Sequence, residues 1–213
     1  MSVPELWIVA GPNGAGKTTL ASLEPIASLL RSNQVLNPDD RCLSLLQQQG
    51  LPGFSSAPLD VLQATFLKAA DEVLAELQAA IAANQAVLVE TVLSTPKYRA
   101  IVDEVRSRGG FFGLIYVALK SPELAFERVQ SRARLGGHDV PGDRVATRWR
   151  RSLEHLPWFA ARSQRLLVYD NSNSVPTAAP LLVADGIGGR VTIHHPTAIP
   201  ELTAALRQVS PAQ

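Results

Sequence analysis

The sequence predicts a three-layer α/β fold, a mostly parallel sheet with helices on both faces, and two observations carry that prediction. The first is the stretch Gly11-Pro12-Asn13-Gly14-Ala15-Gly16-Lys17-Thr18-Thr19, which fits the G-x-x-x-x-G-K-S/T phosphate-binding loop, or P-loop. The second is its setting. Leu6 to Ala10 is a short apolar run of the kind a doubly covered parallel strand needs, and after the loop Leu20, Leu23 and Ile26 take up a helical spacing. Strand, loop and helix therefore follow in the order a phosphate loop requires.

Within the loop, glycines let successive backbone N–H groups turn inward around an anion, and the helix beginning near Gly16 adds its positive end. Lys17 is placed to reach the β- and γ-phosphates and Thr18 to offer its hydroxyl to Mg²⁺, while Thr19 caps or packs the first turn. The first helix is predicted over residues 17–30. Gln34 to Asn37 reads as a short second strand ending in Pro38-Asp39-Asp40. A carboxylate at the end of such a strand faces the same crevice as the phosphate loop, although Asp40 can equally cap a helix over 41–49. Gly50 to Pro58 is a Pro/Gly/Ser-rich loop, and the helix after it, over 59–83, carries Leu62, Phe66, Ala69, Val73, Leu77 and Ala80 on one core stripe.

Ala86 to Thr91 reads as the third strand, four apolar residues meeting Glu90 at the crevice. A helix over 96–108 is stopped by Gly109-Gly110, and Phe111 to Leu119 is the most apolar strand of the chain. Ser121-Pro122 supplies an N-cap and a first-turn proline for a helix reaching Arg134, which puts Arg128 and Arg132 one turn apart on one face. After a loop over 136–142, a helix over 143–155 aligns Arg144, Arg148 and Arg151 as one stripe, with Arg150 pointing elsewhere. Arg165 to Asp170 is the last short apolar strand, and the polar turn from Asn171 to Ser174 suits contact with a nucleotide base. A hairpin over 180–195 and a helix over 199–209 close the chain; His194 and His195 lack companions at metal-ligand spacing.

Composition narrows the class. With 213 residues and 46% hydrophobic content the chain suits one domain over 1–213, its core at about 5–174 and the C-terminal hairpin and helix over 175–213. A net charge of +1 argues against bulk nucleic-acid binding, yet nine of the sixteen arginines lie between Arg128 and Arg165, a concentration that needs an anionic partner. Cys42 is the single cysteine, which excludes a disulfide and fits a reducing cytosol. No charged start leads into an apolar core, and no apolar run approaches about 18 residues, so neither a signal peptide nor a membrane span is expected and the location expected is cytoplasmic.

A phosphate loop, acids at the next two strand ends and an arginine-rich lid between the fourth strand and the last make up a P-loop NTPase fold arranged as a small-molecule kinase. The acid takes the hydroxyl proton, and the arginines meet the charge that spreads over the transferring phosphoryl group. An ABC ATPase would need a Leu-Ser-Gly-Gly-Gln type signature, which the chain lacks.

Taken together, Gly11 to Thr19, Asn37-Pro38-Asp39, Glu90 to Ser94, Ser121 to Arg128, Arg132 to Pro141, Arg148 to Leu153 and Tyr169 to Ser172 resemble the zeta toxin family, most closely its chromosomal branch labelled predicted ABC-type ATPases. The resemblance covers about Leu6 to Ser174. It implies a P-loop kinase that phosphorylates a hydroxyl of UDP-N-acetylglucosamine or a related UDP-amino sugar. By the same resemblance Gly11 to Thr19 hold ATP or GTP, Thr18 holds Mg²⁺, Asp39 rather than Asp40 is the general base, and Arg134 with Arg148 or Arg151 stabilises the transferred phosphate. Glu90, Thr91, Arg128 and Arg132 are the expected substrate contacts, Asn171 a nucleotide contact, and an antitoxin protein a possible partner. A second class stays open at this point: a nucleotide-binding switch, or an antitoxin-neutralised toxin acting mainly through protein interaction.

Overall fold

The computed structural model describes residues 2–31, 33–137, 140–173, 179–195 and 199–209. In chain order these residues form β1 (Glu5–Ala10), α1 (Lys17–Ala21), α2 (Ile26–Leu30), β2 (Gln34–Leu36), α3 (Pro38–Gln48), α4 (Leu59–Ala82), β3 (Ala86–Thr91), α5 (Arg99–Ser107), β4 (Phe111–Ala118), α6 (Pro122–Arg134), α7 (Gly142–Ala160), β5 (Arg165–Asp170), β6 (Leu181–Ile187), β7 (Arg190–Ile193) and α8 (Pro200–Arg207). The strands make one sheet in the order β2-β3-β1-β4-β5-β6-β7, parallel through β5 and antiparallel beyond it.

β1 lies between β3 and β4, and every residue from Leu6 to Ala10 is buried, which is why its sequence is continuously apolar rather than alternating. Because β1 to β5 all run the same way, the segments that follow them open on one edge of the sheet. The P-loop, Asn37 to Asp39, Glu90 with Thr91, and Asn171 are thereby gathered at that edge from four separate parts of the chain. The C-terminal hairpin continues the sheet, since β6 pairs with β5 along its length.

Three boundaries differ from the sequence expectation, each for a local reason. The helix expected over 17–30 is two short helices, broken ahead of Pro25, which has no N–H to donate. In contrast α7 runs through Pro157 to Ala160, past the end expected at His155. Leu156 and Phe159 are fully buried there, and burying two such side chains is worth roughly 1.5–3 kcal/mol each, together enough to offset the roughly 3 kcal/mol that a proline costs inside a helix. Finally, α3 begins at Pro38 rather than Arg41. Its cap is Asn37, whose side chain accepts from the Asp39 N–H at 2.9 Å, so Asp40 is a first-turn residue and not the cap.

α4 belongs to two apolar clusters. Val73, Leu77, Ala80 and Ile81 join the main core under the sheet, whereas Ala69 joins a smaller cluster with Cys42, Leu45 and Leu46 of α3, against which Leu62 and Phe66 pack. The stacked rings of Phe54 and Phe66, 5.7 Å apart, close that second cluster, and Arg41 pairs with Glu72 and Glu76 across it.

Gly113 of β4 lies beside Trp7 of β1, and a Cβ at Gly113 would fall 2.3 Å from the indole ring. Gly113→Ala should therefore destabilise the protein by about 1–3 kcal/mol through displacement of Trp7, read as a lower urea midpoint with an unchanged slope.

Candidate active site

The phosphate loop is shaped by its glycines and by what packs outside it. Gly14 and Gly16 take φ of 74° and 83°, and a Cβ at Gly14 would meet the Ala125 carbonyl of α6 at 2.7 Å. Among the described residues the backbone N–H groups of Gly14, Gly16, Lys17 and Thr18 find no hydrogen-bond acceptor, the arrangement that suits an anion in the concavity. Asn13 is buried there too, and its Oδ1 has no partner among the described residues.

Lys17 is folded back over this concavity. It is 9% exposed, and its Nζ donates to the carbonyls of Gly11 at 3.1 Å and Pro12 at 3.3 Å. Burial holds the ammonium below the usual lysine range; the Glu90 and Asp39 carboxylates oppose that shift, and Arg132 and Arg148 add to it. Glu90 Oε1 lies 4.0 Å from Lys17 Nζ, and Glu90 Oε2 accepts from the Thr18 hydroxyl at 2.8 Å. A desolvated ammonium with unpaired N–H groups fits a polyphosphate, and the Thr18 and Glu90 oxygens are the hard donors that Mg²⁺ takes.

Asp39, half-buried in the first turn of α3, is the acid whose charge reaches both Lys17 and Arg148. Asp40 is exposed, and its carboxyl is raised by partial desolvation and by Asp39 beside it. Arg148 comes from α7, with desolvation holding its guanidinium below the arginine range against the pull of Asp39. Neighbouring side chains of α7 fix that position: Trp149 Nε1 donates to the Leu119 carbonyl at 2.9 Å, and the Ser152 and Tyr116 hydroxyls are 2.9 Å apart in the core. Neither anchor follows from the spacing of the arginines. A tyrosine amid the apolar run of β4 is the available signal, since a buried hydroxyl needs a partner.

Other expected site residues go elsewhere. Arg132 is exposed on α6 but its charge reaches Lys17, whereas Arg128 turns to β5, where its Nη2 donates to the Asn173 carbonyl at 3.1 Å and Asp170 is the nearest influential acid. Arg134 is exposed in the last turn of α6. Arg151 is exposed as well, and its charge is felt at His155 one turn further along α7. Arg144, Arg148 and Arg151 make no ion pair among the described residues. Thr91 ends β3, its hydroxyl accepting from the Leu93 N–H at 3.2 Å. Asn171 touches the phosphate loop itself, donating to the Ala15 carbonyl at 2.9 Å. His138, Asp139 and Ser174 lie outside the described residues.

A family model described as zeta toxin matches residues 2–176. No curated protein matches the chain in sequence. Among solved structures, a chain of the AvrRxo1-ORF1:-ORF2 complex with ATP is similar at a TM-score of 0.71 and 17% identity, over 99% of this chain and 65% of that one. The present chain thus spans less than two thirds of that neighbour's length. A chain of the PezAT chromosomal toxin-antitoxin system of the human pathogen Streptococcus pneumoniae is similar at a TM-score of 0.54 and 17% identity, over 79% of this chain and 69% of that one. At these identities the likeness is one of fold.

The depressed Lys17 titration has a stability consequence. The folded chain binds that proton less readily than the unfolded chain, so stability rises as pH climbs through the depressed value toward the ordinary lysine range. Lys17→Met should remove that alkaline dependence and unfold, without ligand, at a temperature no lower than the parent, while losing phosphate binding. A clearly lower melting temperature would mean that the Gly11 and Pro12 contacts outweigh the desolvation.

Proposed function

The chain belongs to the zeta toxin family, and on that premise we propose that it is an ATP- or GTP-dependent kinase that transfers the γ-phosphoryl group to a hydroxyl of a small metabolite, the acceptor expected from the sequence resemblance being a UDP-amino sugar such as UDP-N-acetylglucosamine. One observation carries the kinase reading: a single carboxylate, Asp39, is electrostatically coupled both to the phosphate-loop lysine and to Arg148, a lid arginine with no ion-pair partner among the described residues. A nucleotide switch has no need of a proton acceptor at that place. A kinase needs one, together with a positive group that meets developing charge.

In this reading the N–H groups of Gly14, Gly16, Lys17 and Thr18 and the Lys17 ammonium hold the donor phosphates. Thr18 and Glu90 would hold Mg²⁺, which supplies charge neutralisation between the phosphate oxygens. Asp39 accepts the proton of the attacking hydroxyl, and Arg148 stabilises charge on the transferring group, with Arg134 and Arg151 able to join it from the exposed faces of α6 and α7. Thr91 and Arg132 are the acceptor contacts that the sequence resemblance suggests. The PezAT neighbour comes from a toxin-antitoxin system, which supports an antitoxin as a protein partner of this chain.

Incubation of the protein with MgATP and a panel of UDP-sugars, sugars and nucleosides, read by mass spectrometry, identifies the acceptor as the species gaining one phosphate. Asp39→Asn should then slow transfer by about 10²- to 10⁴-fold with nucleotide affinity kept, and Asp40→Asn should change little. Dominance of the Asp40 variant, or loss only in Glu90→Gln, would move the base. Arg148→Ala should lower kcat by roughly a hundredfold while leaving nucleotide affinity nearly unchanged; equal loss of affinity would make it a ground-state clamp instead.

A further inference from the structure

The turn after β5 reaches the phosphate loop across β4, and what it contacts is the backbone of the loop. Asn171 Nδ2 donates to the Ala15 carbonyl at 2.9 Å, and a Cβ built at Gly16 would lie 2.7 Å from the same nitrogen. The turn that presents this amide is itself fixed on three sides. Asn171 N–H donates to the Ala118 carbonyl at 3.0 Å, Ser172 Oγ accepts from Lys120 N–H at 2.8 Å, and Arg128 donates to the Asn173 carbonyl at 3.1 Å. Ser172 N–H also donates to Asp170 Oδ1 at 2.9 Å, which closes the turn.

The Ala15 carbonyl and the Gly16 N–H belong to one planar trans peptide and point in opposite directions. Fixing the carbonyl toward Asn171 therefore fixes the N–H the other way, and the Gly16 N–H has no acceptor among the described residues. We propose that Asn171 is a positioning residue of the phosphate loop, holding the Ala15–Gly16 peptide so that the Gly16 N–H faces a bound polyphosphate. The proposal rests on the phosphate-loop reading above, and it replaces the expectation that Asn171 contacts the nucleotide base. Its consequence is base-independent: the hydrogen bond serves phosphates whatever they are attached to.

The test measures the affinity of the full chain for MgATP, MgGTP and inorganic tripolyphosphate in the parent, Asn171→Ala and Asn171→Asp. One neutral hydrogen bond sets the scale, so Asn171→Ala should lose about tenfold for all three ligands, with the urea midpoint lowered by no more than that one bond accounts for. Asn171→Asp, with the same shape but an oxygen turned on the Ala15 carbonyl, should lose more. In the parent, amide NMR should show the Gly16 resonance shifting on tripolyphosphate addition, a reading that needs no variant. Loss confined to the nucleotides, with tripolyphosphate unaffected, would make Asn171 a base contact and overturn the proposal. Equal affinity in all three proteins, or a Gly16 amide blind to tripolyphosphate, would overturn it as well. A parent that binds none of the three ligands would bring down the phosphate-loop reading itself, and this role with it.

Discussion

A buried ammonium organises this molecule. Lys17 is desolvated by its own loop, and an isolated charge in such a place is expensive unless opposite charge and hydrogen bonds surround it. Two backbone carbonyls accept its hydrogen bonds, while Glu90 and Asp39 supply the opposite charge from separate strand ends. Arg132 and Arg148 add positive charge, and the backbone N–H groups of Gly14, Gly16, Lys17 and Thr18 stand without acceptors among the described residues, a surplus of donors. A polyphosphate is the chemistry that such a surplus accommodates.

Strand order produces this arrangement. With β3 and β2 on one side of β1 and β4 and β5 on the other, the two acids arrive from one flank of the phosphate loop. The arginines of α6 and α7 follow β4 and arrive from the opposite flank. Asp39 and Arg148 thus both bring their charge to the place where Lys17 sits, which is the pairing of acid and cation that the proposed transfer uses. Packing keeps it so: Trp149 and Ser152 tie α7 to the Leu119 carbonyl and the Tyr116 hydroxyl, and Arg148, next to Trp149 in the chain, stays within reach of the Asp39 charge.

Much of this is legible in the sequence because local periodicity and local punctuation carry it. The apolar run before Gly11, the Ser121-Pro122 start and the arginine spacing at 144, 148 and 151 each need only a few neighbouring residues to be read. What escapes depends on distant partners. Pro25 interrupts a helix and Pro157 does not, and the difference lies in the two core side chains that flank Pro157 rather than in the proline. Helical spacing groups Arg128 with Arg132, yet the β5 turn draws its guanidinium away toward Asn173. The sequence reading expects Asn171 at a nucleotide base, whereas the atom it touches is the Ala15 carbonyl, 156 positions away, and no spacing encodes that.

The seat of Asp39 shows how the second apolar cluster bears on the chemistry. α3 packs chiefly on α4, through Cys42, Leu45, Leu46 and Ala69, and not on the main core. α4, about 36 Å long at 24 residues, spans both clusters, its later half locked under the sheet by Val73, Leu77 and Ile81. The Arg41 pairs with Glu72 and Glu76 lie where one cluster gives way to the other. The carboxylate of Asp39 is therefore set by α4 as well as by β2, while Lys17 and Arg148 are set by the sheet. In the proposed reaction an acceptor between Asp39 and the phosphate loop would meet the junction of the two clusters, and α4, which belongs to both, ties the place of Asp39 to that of the loop.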